Sequence, residues 1–306
     1  MNILVTGGAG FIGSHFVDSM IEAGHAVVVV DDLSIGKKEY VHPKAEFHQL
    51  DIRSEKINSL FQKLRFDAVM HLAAQMDVRK SVDDPLFDAS VNILGSLNLL
   101  ENARRTGVNK FMFASTGGAI YGEQQYFPAD EKHPERPISP YGIAKLAVEK
   151  YLFYYHKIHG VQYTSLRYAN VYGPRQNAYG EAGVVAIFTH KLLAGGQPII
   201  NGDGKQTRDY VYVGDVVKAN MLALNCDTPA IFNVGTGVET DVNGLFAMLR
   251  DLAGSASEGK HGPAKKGEQR RSVIDSSSLL NTFGWKPAVT LEEGLRRTVK
   301  YFLENR

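Results

Sequence analysis

A chain of 306 residues exceeds one small module and, at about 150 residues per domain, accommodates two domains or one large α/β unit with a sizeable buried core. Its 34 Lys and Arg against 33 Asp and Glu, with 44% hydrophobic and 22% charged residues, exclude a disordered chain and an evenly basic nucleic-acid binder. The densest basic cluster, residues 260–271, holds no Phe, Tyr or Trp for base stacking and reads as a solvated loop.

From the N-terminus, short β-branched runs alternate with amphipathic stretches of helix length. They run over residues 3–5 and 12–23, then 26–30, 67–72 and 85–106, 110–115 and 140–159. Such alternation predicts βαβ units around a doubly wound parallel sheet, an α/β fold of Rossmann type, and the near-continuous apolar run at 26–30 predicts helices on both faces. Beyond Tyr168 the glycines thicken and the alternation becomes irregular, so the expected division is 1–168 for a dinucleotide-binding domain and 169–306 for a mostly substrate-binding lobe, with some segments returning to the sheet. Residues 253–267, rich in Gly, Ser and Lys, are expected to be an exposed loop.

Cys226 is the one cysteine, which excludes an intrachain disulfide and fits a reducing compartment. The N-terminal segment lacks a basic n-region and its apolar run is broken at once by glycines, so neither a secretory leader nor a membrane association is expected, and the location expected is the cytoplasm. No His pair has the HxxxH spacing with an acidic third ligand, and no metal is expected.

Two local patterns carry chemistry. Gly7, Gly10 and Gly13 mark a GxxGxxG turn between the first strand and first helix, where missing side chains and free helix N–H groups admit a pyrophosphate. Asp31 ends the next apolar strand about twenty residues on, placed to bind both ribose hydroxyls and to repel a 2′-phosphate, so the cofactor expected is NAD rather than NADP. Asp32 adds to that repulsion or caps the turn into Leu33-Ser34. The second pattern is Ser139-Pro140-Tyr141 with Lys145: a capped helix start with Tyr and Lys on one face, where the ammonium and the nicotinamide charge together are expected to lower the phenol pKa enough to make a base. The aromatic run 151–155 on the same helix reads as packing.

These patterns continue almost end to end: residues 71–75 (HLAAQ), 167–175 (RYANVYGPR), 202–204 (GDG) with 208–210 (RDY), 233–237 (NVGTG) and 284–287 (GWKP). In this the chain resembles the extended short-chain dehydrogenase/reductases, and within them the nucleotide-sugar epimerases of the NAD-dependent epimerase/dehydratase family, the UDP-glucose 4-epimerase group. The resemblance implies a tightly held NAD that oxidises C4 of a UDP-sugar and re-reduces it on either face, with Tyr141 and Lys145 catalytic. It implies further that Phe11 and Ile12 lie along the pyrophosphate turn, that Asp31, Asp32, Ser34 and Gly36 hold the adenosine ribose, and that Asp51 and Ile52 meet adenine. Leu72, Ala73, Ala74, Gln75 and Tyr168 complete the cofactor wall. Asn170, Gly183, Val184, Val185 and Arg208 match positions that hold the sugar nucleotide.

Four positions depart from the family pattern. Gly117 stands where a catalytic hydroxyl is usual, leaving Thr116 as the substitute. Lys265 to Glu268 replace an Arg-led loop at the diphosphate, and Asn201 replaces the aromatic under uracil. Ser272 occupies the place of a bulky residue that excludes N-acetylated sugars, so UDP-N-acetylhexosamines are expected to fit as well. The resemblance also implies a homodimer through a four-helix bundle, formed by the helices at 85–106 and 140–159. The alternatives that remain are a 4-epimerase of another sugar nucleotide such as UDP-glucuronate, a related decarboxylase or dehydratase, and a non-catalytic NAD-binding regulator. The acidic pair that a 4,6-dehydratase needs is missing from residues 117–120.

Overall fold

The computed structural model describes residues 1–178, 183–264 and 269–305. It forms two compact units, one of residues 1–120, 137–167 and 217–232, the other of 121–136, 168–216 and 233–306.

In chain order the elements are β1 (Asn2–Thr6), α1 (Phe11–Glu22), β2 (Ala26–Asp31), β3 (Glu46–Gln49), α2 (Lys56–Lys63), β4 (Ala68–His71), α3 (Val78–Asp83), α4 (Pro85–Ala89), a π-helical turn (Ser90–Leu94), α5 (Gly95–Thr106), β5 (Lys110–Thr116), α6 (Gly117–Ile120), α7 (Pro140–His159) and β6 (Gln162–Tyr168). There follow β7 (Asn170–Tyr172), α8 (Val184–Leu193), β8 (Ile199–Asn201), β9 (Thr207–Tyr212), α9 (Val213–Leu224), β10 (Ala230–Val234), β11 (Glu239–Asp241), α10 (Val242–Leu252), β12 (Lys260–Gly262), β13 (Arg271–Ser272), α11 (Ser277–Phe283) and α12 (Leu291–Glu304).

A seven-stranded sheet in the order β3-β2-β1-β4-β5-β6-β10 organises the first unit. β1 pairs in parallel with β2 on one side and β4 on the other. The chain therefore reverses direction across the sheet at β1, and the crevice beyond the carboxyl ends of β1 and β4 is where such folds take a ligand. Val27 to Val30 are buried, as a strand covered on both faces requires. The core behind one face joins Leu4, Val28 and Val69 of the sheet to Leu99, Leu100, Val148 and Leu152 of α5 and α7.

Helix α7 is set by local chemistry. The Ser139 hydroxyl accepts the Gly142 N–H at 3.1 Å, Pro140 takes the first turn, and Gly160 stops the helix in a left-handed conformation at φ 75°. The stretch 85–106 is not the single helix expected: α4 and α5 are separated by the π-helical turn, whose wider loop lets Asn92 donate to Asp88 and Ser96 donate back to the Asn92 carbonyl.

In the second unit β9 is the shared strand, paired with β11, β13 and β7. Its core gathers Phe188 and Leu192 of α8, Leu245 and Phe246 of α10, and Leu295 and Val299 of α12. The expected loop at 253–267 contains β12, which pairs in parallel with β8 because Lys260, His261 and Gly262 meet Ile199, Ile200 and Asn201 in register.

Candidate active site

Glycine is required at the β1–α1 turn by contact as much as by backbone angle. At Gly7, φ is +73° and a Cβ would meet the Ala73 nitrogen at 2.6 Å, while a Cβ on Gly13 would overlap the Gly7 carbonyl oxygen. The turn thus lies directly on the segment leaving β4. Gly10 precedes α1 with no side-chain cap, so the N–H groups of Phe11, Ile12 and Gly13 in the first turn have no intrahelical acceptor and stand open to an anion. This cradle, which any side chain would fill, fits a pyrophosphate.

Asp31 is buried at the end of β2; its carboxylate accepts the Ala9 N–H at 3.0 Å and the Leu33 N–H at 2.9 Å. Burial raises its pKa, against the opposing pull of those two N–H groups. Its acceptor capacity is not exhausted, as binding a ribose requires. A Cβ on Gly36 would approach Asp31 Oδ1 to 2.9 Å, so the 33–37 segment closes over the carboxylate. Asp32 is exposed and accepts both the N–H and the hydroxyl of Ser34, a turn-forming role. Asp51 is held below the usual carboxylate range chiefly by hydrogen bonds from Arg53, and Ile52 is buried against Gly95.

Beyond β4, Leu72 donates its N–H to the Thr6 carbonyl and Ala73 to the Thr6 hydroxyl. The Gln75 amide does not project toward a ligand: its Oε1 accepts from the Asp77 N–H, and its Nε2 donates to the Asp77 carbonyl and to Asp88. Asn92 seals the same residue by accepting the Gln75 N–H and donating to its carbonyl. Gln75 therefore shapes this wall rather than offering a side-chain donor to it.

The Tyr–Lys pair stands on the first turns of α7. Lys145 is buried, donates to the Ala114 carbonyl of β5 at 2.8 Å, and lies 5.7 Å from the centre of the Tyr141 ring. Two residues past Ala114, Thr116 ends β5 half-buried, whereas the Ser115 hydroxyl is committed to Glu149 at 2.6 Å. Thr116 is thus the hydroxyl left at the strand exit, because Gly117 and Gly118 have none. Burial lowers the Lys145 pKa to about 8, with Asp88 and Glu149 opposing the fall. Burial, and after it the charge of Asp88, push the Tyr141 pKa up.

Sequence reasoning missed the buried groups behind this pair. Glu149, one turn beyond Lys145, takes two hydrogen bonds from Arg167 and one from each of Ser115 and Ser165, all fully enclosed. His71 accepts from or donates to Thr6 and Ser96, each at 2.8 Å. Ser96 spends its proton on the Asn92 carbonyl, so His71 Nε2 must donate to Ser96 and Nδ1 must accept from Thr6. Only the spacing of Glu149 from Lys145 was visible beforehand.

In the second unit, β9 brings three expected residues together. Arg208 is the register partner of Ser272 on β13, and Asn170 on β7 is that of Tyr210, two residues along. Gly183 precedes α8 and Val184 and Val185 open it, while Asn201 ends β8 and accepts from Gln206 through its carbonyl. Tyr168 is buried at the end of β6. Lys265 and Glu268 lie outside the described residues.

A family model described as the NAD dependent epimerase/dehydratase family matches residues 3–235. The chain belongs to that family. It is similar to a putative UDP-glucose 4-epimerase of Methanocaldococcus jannaschii, 47% identical with 99% of each chain covered. Among solved structures it is similar to a UDP-glucose 4-epimerase with UDP-glucose from Thermotoga maritima (52% identical, TM-score 0.98, covering 100% of this chain and 99% of that one). It is also similar to a Thermus thermophilus UDP-glucose 4-epimerase in complex with NAD (45% identical, TM-score 0.95, covering 99% of each chain). As a member of an NAD-dependent family, the chain has in its glycine turn, α1 terminus and Asp31 a set of groups that fits that cofactor.

Proposed function

We propose that this protein interconverts UDP-glucose and UDP-galactose by oxidation and re-reduction at C4 of the hexose. The observation that carries this reading is the bond from Lys145 to the Ala114 carbonyl, which fixes the Tyr141 helix to the strand ending at Thr116. Lys145 thereby stands beside the Tyr141 ring near the end of the strand that closes on Thr116, and in this reading the three groups act together. Tyr141 takes the proton of the 4-hydroxyl and returns it when the 4-keto sugar has turned over, while Thr116 hydrogen-bonds the same oxygen. NAD, when bound along residues 7–13, Asp31 and 72–75, supplies the acceptor and donor of the C4 hydride and a positive charge beside the phenol. Lys145 holds the cofactor side of the site and stabilises the developing phenolate.

Residues of the second unit serve the nucleotide sugar in this reading, with Arg208 on the diphosphate and Asn170 and residues 183–185 along the sugar nucleotide. Asn201 lies under the uracil, and Ser272, a small side chain, leaves space for an N-acetyl group. No described helix is long and apolar enough to cross a membrane, and Cys226 is buried and free, which supports a reducing, cytoplasmic setting. Exposed apolar side chains on α4, the π-helical turn and α7, including Leu86, Leu94, Phe153, Tyr154 and Ile158, support a homodimer through paired helices.

The test is proton NMR of purified protein with UDP-galactose and no added NAD. Appearance of the UDP-glucose anomeric signal is expected, and UDP-N-acetylglucosamine should turn over likewise. Absence of conversion even with NAD supplied would overturn the assignment and direct the assay to UDP-glucuronate.

A further inference from the structure

We propose that Asp88 is the buried counter-charge of the Lys145 ammonium, a positioning residue that acts through Lys145 without touching sugar or cofactor. The inference deepens the reading of Tyr141 and Lys145 as the acid–base couple, and only its kinetic arm rests on that reading.

Asp88 sits on α4, which packs against α7, and is 1% exposed. Its Oδ1 accepts from Gln75 Nε2 and Asn92 Nδ2, each at 2.9 Å, and its Oδ2 is buried with no hydrogen-bond partner. Both donors are neutral amides, and no Lys or Arg pairs with it among the described residues. A carboxylate so enclosed is strongly unfavourable unless positive charge lies within reach.

Two carboxylates act on Lys145, Asp88 and, to a smaller extent, Glu149, and of the two Asp88 has no cationic hydrogen-bond partner of its own among the described residues. Glu149 on its own helix is neutralised by Arg167 of β6, with Ser115 and Ser165 completing its shell. His71 of β4 is uncharged near neutrality, since burial holds its pKa at about 3. Tyr141 stays protonated, and Phe113 of β5 presents only its ring, 4.7 Å from Nζ. The field of Asp88 opposes the fall that burial imposes on Lys145, while burial raises the Asp88 pKa against the pull of the Gln75 and Asn92 amides and of the ammonium. Burial brings Lys145 down to about 8 even against the pull of the two carboxylates, so removing the Asp88 charge makes the ammonium give way at lower pH.

Asp88→Asn separates charge from shape: its carbonyl oxygen still accepts from Gln75 and Asn92, and the charge is gone. The full-length protein is labelled with lysine carrying 13C at Cε, and the Lys145 signal, assigned by its loss in K145A, is titrated by NMR. In D88N its midpoint should move to lower pH. With UDP-galactose, the ratio of kcat at about pH 6.5 to kcat at about pH 8.5 should rise several-fold while KM stays within about twofold. An unchanged Lys145 midpoint, or a kcat loss equal at every pH, would overturn the proposal. If D88N does not fold, the reciprocal titration decides: with aspartate carrying 13C at Cγ, the Asp88 signal should move to higher pH in K145M, and no movement overturns the proposal. If the wild-type protein does not turn over UDP-galactose, the epimerase reading fails while the NMR result still judges Asp88.

Discussion

The acid–base assignment gives separate roles to three neighbouring hydroxyls. In the proposed mechanism Tyr141 carries the proton, so Tyr141→Phe should lower kcat by about 10²- to 10⁴-fold with unchanged thermal stability, and near-normal turnover would remove it from the chemistry. Ser115 is spent on Glu149, which leaves Thr116 for the sugar oxygen. Thr116→Val should therefore lower kcat well below that of Thr116→Ser, and equal activities in steady-state assays would show that the hydroxyl is not used. The glycines, Asp31 and the Tyr–Lys spacing were legible in the sequence because each works within a few residues of chain: a tight turn, a strand end, one helix face. Asp88 was not, because it depends on Gln75, Asn92 and Lys145 meeting from three elements. Gln75 was read as a cofactor residue by motif alone, and only the hydrogen-bond network reveals that its amide is already occupied.

At the scale of elements, β1 and β4 are tied to the π-helical turn and α5 through Thr6, His71 and Ser96. Burial holds the His71 pKa at about 3 against 6.5 for the free side chain, so the unfolded chain binds this proton at the higher pH. The contribution of neutral His71 to stability is complete above about pH 6.5 and is lost progressively as pH falls toward 3. Between pH 7 and 5 the Tm of the wild type should drop further than that of His71→Gln, measured by circular dichroism; parallel slopes would contradict the assignment. The buried Glu149–Arg167 pair is a second fixed point, and losing Arg167 alone should remove about 3–5 kcal/mol by stranding the carboxylate. Strands and helices of the sheet were legible from their periodicity. The π-helical turn at Ser90–Leu94 within 85–106 was not, because one widened turn leaves a long helical pattern recognisable on either side and carries no composition signal of its own.

At the scale of the molecule, the two units interleave in sequence, and local periodicity does not specify which segments cross: residues 121–136 belong to the second unit and 217–232 to the first. β12 was missed for a related reason, since its pairing with β8 lies some sixty residues away in sequence and Gly-Ser-Lys composition signals only exposure. The exposed apolar side chains on α4 and α7 give the dimer proposal its test. Leu86 and Phe153 are 82% and 54% exposed, and replacing both by Glu should halve the mass read by light scattering without lowering Tm. A single-chain mass in the wild type would refute the dimer.

In the proposed reaction C4 gives up a hydride on oxidation and regains the same hydride on re-reduction. UDP-galactose carrying deuterium at C4 is incubated in ordinary water with the purified protein and no added NAD, and the UDP-glucose formed is analysed by NMR and mass spectrometry. Full retention of deuterium at C4 is expected. Its exchange for solvent hydrogen would mean that C4 is deprotonated rather than oxidised, and would contradict the mechanism.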